Sequence, residues 1–133
     1  MMQLTMPKDI KSIVIASHNE GKVREIRSLL DPYGYKIISA KKLGINEPIE
    51  NGMTFSENSL IKSRNAAKKS GLVALADDSG LCVNSLNYRP GIYSARWAGK
   101  NKDFSMAMKK IQKLMEKNDL LSKYNRRAFF VCS

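Results

Sequence analysis

The chain has 133 residues, 43% of them hydrophobic, which is enough for one packed core and too apolar for a disordered segment. Its 23 Lys and Arg against 12 Asp and Glu give a formal net charge of +11, which favours an anionic partner: a nucleotide, a nucleic acid or a membrane surface. No apolar run reaches the length of a membrane span, the N-terminus lacks the apolar segment of a signal peptide, and one His with two Cys gives no zinc spacing. Cys82 and Cys132 stand far apart in apolar, strand-like runs, which reads as core packing in a reducing cytoplasm rather than as a disulfide.

In chain order, residues 1–11 read as a poorly ordered lead. Ile13 to Ala16 is a buried-strand signal. It runs into Ser17-His18-Asn19-Glu20-Gly21-Lys22, after which Val23, Ile26, Leu29 and Leu30 recur at helical spacing until Asp31-Pro32 ends the helix. A polar turn at a helix N-terminus offers free backbone N–H groups and the positive end of the macrodipole, a natural seat for phosphate, and Lys22 adds a full charge. The same residues also fit a plain N-cap by Ser17 or Asn19. His18 reads as a turn residue without chemistry of its own.

Tyr35 to Ile38 predicts a short strand. Residues 40–53 are a loop with two acids, Glu47 and Glu50, which by themselves read as exposed loop carboxylates. Thr54-Phe55-Ser56-Glu57 has the form of a capping box opening a helix that runs to Ser70 and stops at Gly71. Phe55, Ser59, Lys62 and Ala66 share one face of it. Lys62 on that face either snorkels to water or meets a buried anion.

Leu72 to Ala76 is a strand-length apolar run that ends on Asp77-Asp78. Carboxylates there are costly unless a cation meets them. Strand alternation points the two to opposite sides, so only one serves a given site, although two solvated turn aspartates also fit. Ser79-Gly80 signals a turn or bulge, and Leu81 to Val83 a second buried strand. Asn87 to Gly91 is a loop, and Tyr93, Arg96 and Trp97 lie close together after it. Phe104, Ala107, Met108, Ile111, Leu114 and Met115 form a helical stripe of core residues, with Asp103 as N-cap and the lysines at 109, 110, 113 and 117 on a solvated face. A polar link then leads to a strand over Arg127 to Cys132.

ADDSGL, residues 76–81, and PGIYSARWAG, residues 90–99, resemble in order and spacing the inosine/xanthosine triphosphate pyrophosphatase family. SHNEGK, residues 17–22, is similar to the family's Ser/Thr-x-Asn-x-x-Lys phosphate motif. Thr54, Phe55, Glu57, Asn58 and Lys62 match its T-F-x-E-N-x-x-x-K pattern. The resemblance implies hydrolysis of non-standard purine triphosphates (ITP, dITP, XTP) to monophosphate and pyrophosphate. It implies Mg²⁺ as cofactor, held by Glu50 and Asp78, with Asp78 also orienting or deprotonating water. Ser17 to Lys22, Lys62 and Ser79 would hold the triphosphate, and Asp77 would matter mainly to folding.

The strand–helix order and the resemblance together predict an α/β fold: a mixed sheet flanked by helices, in one domain over residues 1–133. Family members continue past this point with a G-F-G-Y-D-P stretch and a late Lys with Ser-His-Arg, which grip the base and part of the triphosphate. Neither occurs here. The resemblance therefore implies an N-terminal part with the second lobe incomplete, with little purine selectivity alone. A separate C-terminal fragment is an expected partner, a homodimer is expected of the complete family protein, and the expected location is cytoplasmic. Three other readings stay open: a Maf-type nucleotide pyrophosphatase, a basic nucleic-acid-binding module using Arg96, Trp97 and the Lys-rich helix, and an inactive remnant.

Overall fold

The computed structural model describes residues 11–118 and 125–133. All but the last residue of the expected lead at 1–11, and most of the polar link, 119–124, lie outside the described residues. Two compact units are present. One ends at Gly52 and resumes over Glu57–Asp77; the other comprises Met53–Ser56 and Asp78–Ser133.

The first unit is built on a three-stranded, wholly parallel sheet: β1 (Ser12–Ile15) lies between β2 (Lys36–Ser39) and β3 (Val73–Leu75). Two helices belong to it, α1 (Glu20–Leu30) and α2 (Phe55–Ser70), the latter from Glu57 onward. After Ser12, β1 is apolar because both of its faces are covered. Ile13 and Ile15 pack with Val23 of α1 on one side. Val14 and Ala16 pack with Ala66 of α2, Ala40 and Ile45 on the other. Such a central parallel strand shows no polar alternation. Full burial of each Ile or Val contributes about 1.5–3 kcal/mol. The helix end foreseen at Asp31-Pro32 is a single 3-10 turn, Asp31–Tyr33, with the proline in its first turn.

The second unit carries an antiparallel sheet with β4 (Ser79–Val83) between the two-residue β5 (Arg89–Pro90) and β6 (Ala128–Cys132). The α/β class thus holds, with the strands shared between a parallel and an antiparallel sheet. Ser79 and Gly80, read from sequence as a turn or bulge, are the first two residues of β4 and pair with Cys132 and Val131. The glycine is there for close packing, not for a turn. A Cβ on Gly80 would lie 2.3 Å from the Gly91 carbonyl oxygen, 2.7 Å from Ser94 Oγ and 3.0 Å from the Phe55 ring. Ser94 opens α3 (Ser94–Trp97); its hydroxyl donates to the Gly91 carbonyl at 2.6 Å and accepts the Leu81 N–H at 2.9 Å.

α4 (Phe104–Lys117) begins where Asp103 accepts the Met106 N–H at 3.0 Å. Its stripe is only partly core. Met115 is buried with Val83 and Leu86, and Ile111 and Leu114 pack on that cluster. Phe104 and Met108, expected inside, are 53% and 63% exposed, because the cluster stops short of the helix's first turns. The cysteines also part company: Cys82 is buried and Cys132 exposed, so the expectation of core packing fails for Cys132, on the outermost strand. Burial raises the Cys82 thiol pKa, which keeps it neutral and unreactive. Iodoacetamide at pH 8 is therefore expected to alkylate Cys132 at least about tenfold faster than Cys82 in the folded chain. Equal rates by peptide mass spectrometry would contradict this packing.

Candidate active site

The turn after β1 and the start of α1 are held by their own side chains. Ser17 Oγ accepts the Asn19 N–H at 3.1 Å, and Asn19 Oδ1 accepts the N–H groups of Gly21 and Lys22 at 3.0 and 3.2 Å. Asn19 is thus the N-cap of α1, and the amides of Asn19, Gly21 and Lys22 are already used within the turn. His18 ties the turn to the following loop, its Nε2 donating to the Ile45 carbonyl at 2.8 Å. Glu20 is exposed, 3.9 Å from Lys41.

A small pocket of about 60 Å³ opens in the first unit, lined among others by Ser17, His18, Lys22, Glu47, Glu50, Lys62, Asn65 and Asp77. That volume takes a few waters or one small charged group, not a nucleotide. Two ion pairs sit in its wall. Lys22 Nζ is 2.6 Å from Asp77 Oδ2, both side chains largely buried. Lys62 Nζ is 3.2 Å from Glu50 Oε1, with the lysine side chain 16% exposed. Of the two fates open to Lys62, the second is realised: the anion it meets is Glu50. Glu50 is correspondingly half-buried, not a free loop acid.

The loop carrying Glu50 is pinned to the helix carrying Lys62. Asn58, fully buried on α2, accepts the Gly52 N–H at 2.9 Å through its side-chain oxygen. A Cβ on Gly52 would come within 2.6 Å of that oxygen. Asn65 Nδ2 adds a longer bond to the Asn46 carbonyl at 3.3 Å.

Of the residues expected to form the site, Ser17, His18, Lys22, Glu50 and Lys62 come together around this pocket. Asn19 shapes the turn beneath it, while Glu20 and Gly21 stand in the first turn of α1. Asp78 and Ser79 belong to the second unit. Asp78 is buried there, its backbone N–H and C=O both paired with Ser133 at 2.8 Å. Asp77, expected to serve folding, is the anchor of Lys22. The cost of leaving a carboxylate unmatched at a strand end was the signal for it. Glu47 and Asn65 carried no comparable signal, whereas Asn58 stood in the T-F-x-E-N-x-x-x-K pattern. A larger concavity, about 640 Å³, runs along Lys109, Lys110, Lys113, Glu116 and Lys117, but it offers only α4 residues. Arg96 lies over the Tyr93 ring and Lys110 over Trp97, so these aromatics and cations are engaged with each other.

The model of the Ham1 family matches residues 13–133. The chain belongs to the Ham1 family. It is 56% identical over 122 residues to a dITP/XTP pyrophosphatase of Zymomonas mobilis, covering 91% of this chain and 57% of that protein. With the Rhodopseudomonas palustris dITP/XTP pyrophosphatase the identity is 51% over 119 residues, 90% of this chain and 57% of the relative. The solved HAM1 protein of Coxiella burnetii superposes with a TM-score of 0.79 at 41% identity, covering 92% of this chain and 61% of that one. This Ham1-family chain therefore spans little more than half the length of the relatives it matches, and over that span its fold is theirs.

Proposed function

We propose that this chain carries the phosphate- and metal-handling part of a nucleoside triphosphate pyrophosphatase that cleaves ITP, dITP and XTP to monophosphate and pyrophosphate. The observation that carries the reading is the pocket in which Lys22, Lys62, Glu50 and Asp77 converge. Its relatives' printed activity supplies the substrate class. The cationic side chains would balance a triphosphate, and the net charge of +11 favours such an anion.

Magnesium fits the donor set. Among the described residues no group of three or more His, Cys, Asp or Glu side chains is placed to hold a metal. Mg²⁺ asks for less, since it keeps several waters and takes one or two carboxylates plus phosphate oxygens. In this reading Glu50, a carboxylate of the pocket, would help hold the ion. The ion would neutralise charge on the phosphates and polarise the bond that breaks. Asp78 accepts a proton from the attacking water, which adds to the phosphorus at the cleaved linkage as pyrophosphate leaves with the bridging oxygen. Lys22 and Lys62 offset the negative charge that grows on the departing group.

The direct test is pyrophosphate release from dITP, XTP and dATP by the purified chain, alone and mixed with a polypeptide corresponding to the remaining part of the Zymomonas mobilis relative. Release on mixing, with dITP and XTP preferred over dATP, is the expected result. No release from any triphosphate in the mixture, with both parts folded by circular dichroism, would refute the reading. In the active mixture, Asp78→Asn is expected to lower kcat about 10²-fold at an unchanged melting temperature. An equal fall in kcat for Asp77→Asn at unchanged stability would move the proton-accepting role away from Asp78.

A further inference from the structure

The two lysines of the pocket are both engaged by carboxylates of the same pocket. Lys22 is held by Asp77 at 2.6 Å and Lys62 by Glu50 at 3.2 Å. Glu47 also lines it, so three carboxylates face two ammonium groups, and the pocket by itself is net anionic. A phosphate group of a polyphosphate reaching it meets two cations whose charge is already spent on carboxylates and a third carboxylate that repels it. A divalent cation entering it meets the opposite situation.

We infer that the Lys22–Asp77 and Lys62–Glu50 pairs couple anion binding to cation binding. A divalent cation drawn to the carboxylates loosens both lysines, and the freed ammonium groups then take phosphate oxygens. Without the cation the carboxylates keep the lysines and the pocket excludes polyphosphate. The physical basis is one of competition. Each lysine has a single charge, and each pair lies partly shielded from water, where charges separated by about 3 Å interact more strongly than at the surface. The linkage is reciprocal: polyphosphate must raise the affinity for the cation by the same factor as the cation raises that for polyphosphate. This assigns Asp77 a positioning role, keeping Lys22 from anions until the cation arrives. The inference rests on the phosphate-seat reading proposed above.

The test is isothermal titration calorimetry with inorganic pyrophosphate on the 133-residue chain, in excess EDTA and at saturating Mg²⁺. The wild type is compared with Asp77→Asn and Glu50→Gln, each checked by circular dichroism. The two changes sit on different segments, the stretch after β3 and the loop before α2, so a folding failure in one leaves the other informative. In EDTA each variant is expected to bind pyrophosphate about tenfold more tightly than the wild type, one charge interaction having been removed. Magnesium should then strengthen binding less in the variants than in the wild type. Adding Lys22→Gln to Asp77→Asn should abolish the metal-free gain, which a mere loss of negative charge would not predict. If Mg²⁺ strengthens binding to all forms equally and neither variant gains in EDTA, the coupling is wrong while the phosphate seat stands. If no form binds pyrophosphate in either condition, the phosphate-seat reading fails and takes the coupling with it.

Discussion

Gly80→Ala should destabilise the second unit by about 3 kcal/mol, lowering the melting temperature by roughly 10 °C. The argument is steric and local. The added methyl would stand 2.3 Å from the Gly91 carbonyl oxygen and 2.7 Å from Ser94 Oγ. The first of these is backbone and cannot rotate away. To admit the methyl, β4 must retreat from the Gly91–Ser94 corner. That breaks the bond from the Leu81 N–H to Ser94 Oγ and disturbs the pairing of Gly80 with Val131. Ser94→Ala, by contrast, removes the hydroxyl and leaves the backbone in place, so about 1–2 kcal/mol is expected for it. The double variant should recover little, since the carbonyl clash remains. Thermal melts by circular dichroism check the order. A Gly80→Ala chain melting with the wild type would show that the corner has room to move.

Lys22→Met, in the active mixture, should cost roughly 2–4 kcal/mol in kcat/KM for dITP, a fall of about 30- to 1,000-fold. The loss exceeds that of an exposed charge because the side chain is largely buried and lies in the pocket wall. The variant also strands Asp77, so some stability goes with it. Two measurements separate the effects. The melting temperature reads the stranded carboxylate, and Lys22→Arg, which restores both the charge and the ion pair, should regain much of kcat/KM. Unchanged kcat/KM in Lys22→Met would remove this lysine from the substrate.

Much of the first unit was legible in the residues. The unbroken run at Ile13 to Ala16 reads as a strand covered on both sides, and it is one. Asn19, the Asp31-Pro32 break and the stop at Gly71 mark helix ends by local chemistry, which needs no knowledge of distant partners. Ser79-Gly80 could not be read this way. A glycine that permits backbone contact looks the same in sequence as one that permits a turn, and the contact here is with residues more than ten positions away. The same limit applies to Phe104 and Met108: periodicity names a face but not how far its covering extends. In the pocket, the residue types and the separation of Asp77 from Asp78 were accessible. The pairing of Lys22 with Asp77 and of Lys62 with Glu50 was not, because each joins groups brought together only by the fold.

The Ser94 hydroxyl bears on how this protein can vary. It fastens the 76–81 and 90–99 strings together by one donated and one accepted hydrogen bond. The segment between them, from the end of β4 to β5, holds Tyr88 in the open and turns through Asn87 and Tyr88 with positive φ. Once the ends are clasped, the length of the intervening loop matters little, since doubling a loop adds only about 0.6 kcal/mol of closure entropy. Insertions after Leu86 are therefore expected to be tolerated in a library of length variants, whereas a single residue added between Gly91 and Ser94 would shift the hydroxyl off its partners and be lost. Natural drift should follow the same division, with ragged alignment across the loop and none at the clasp.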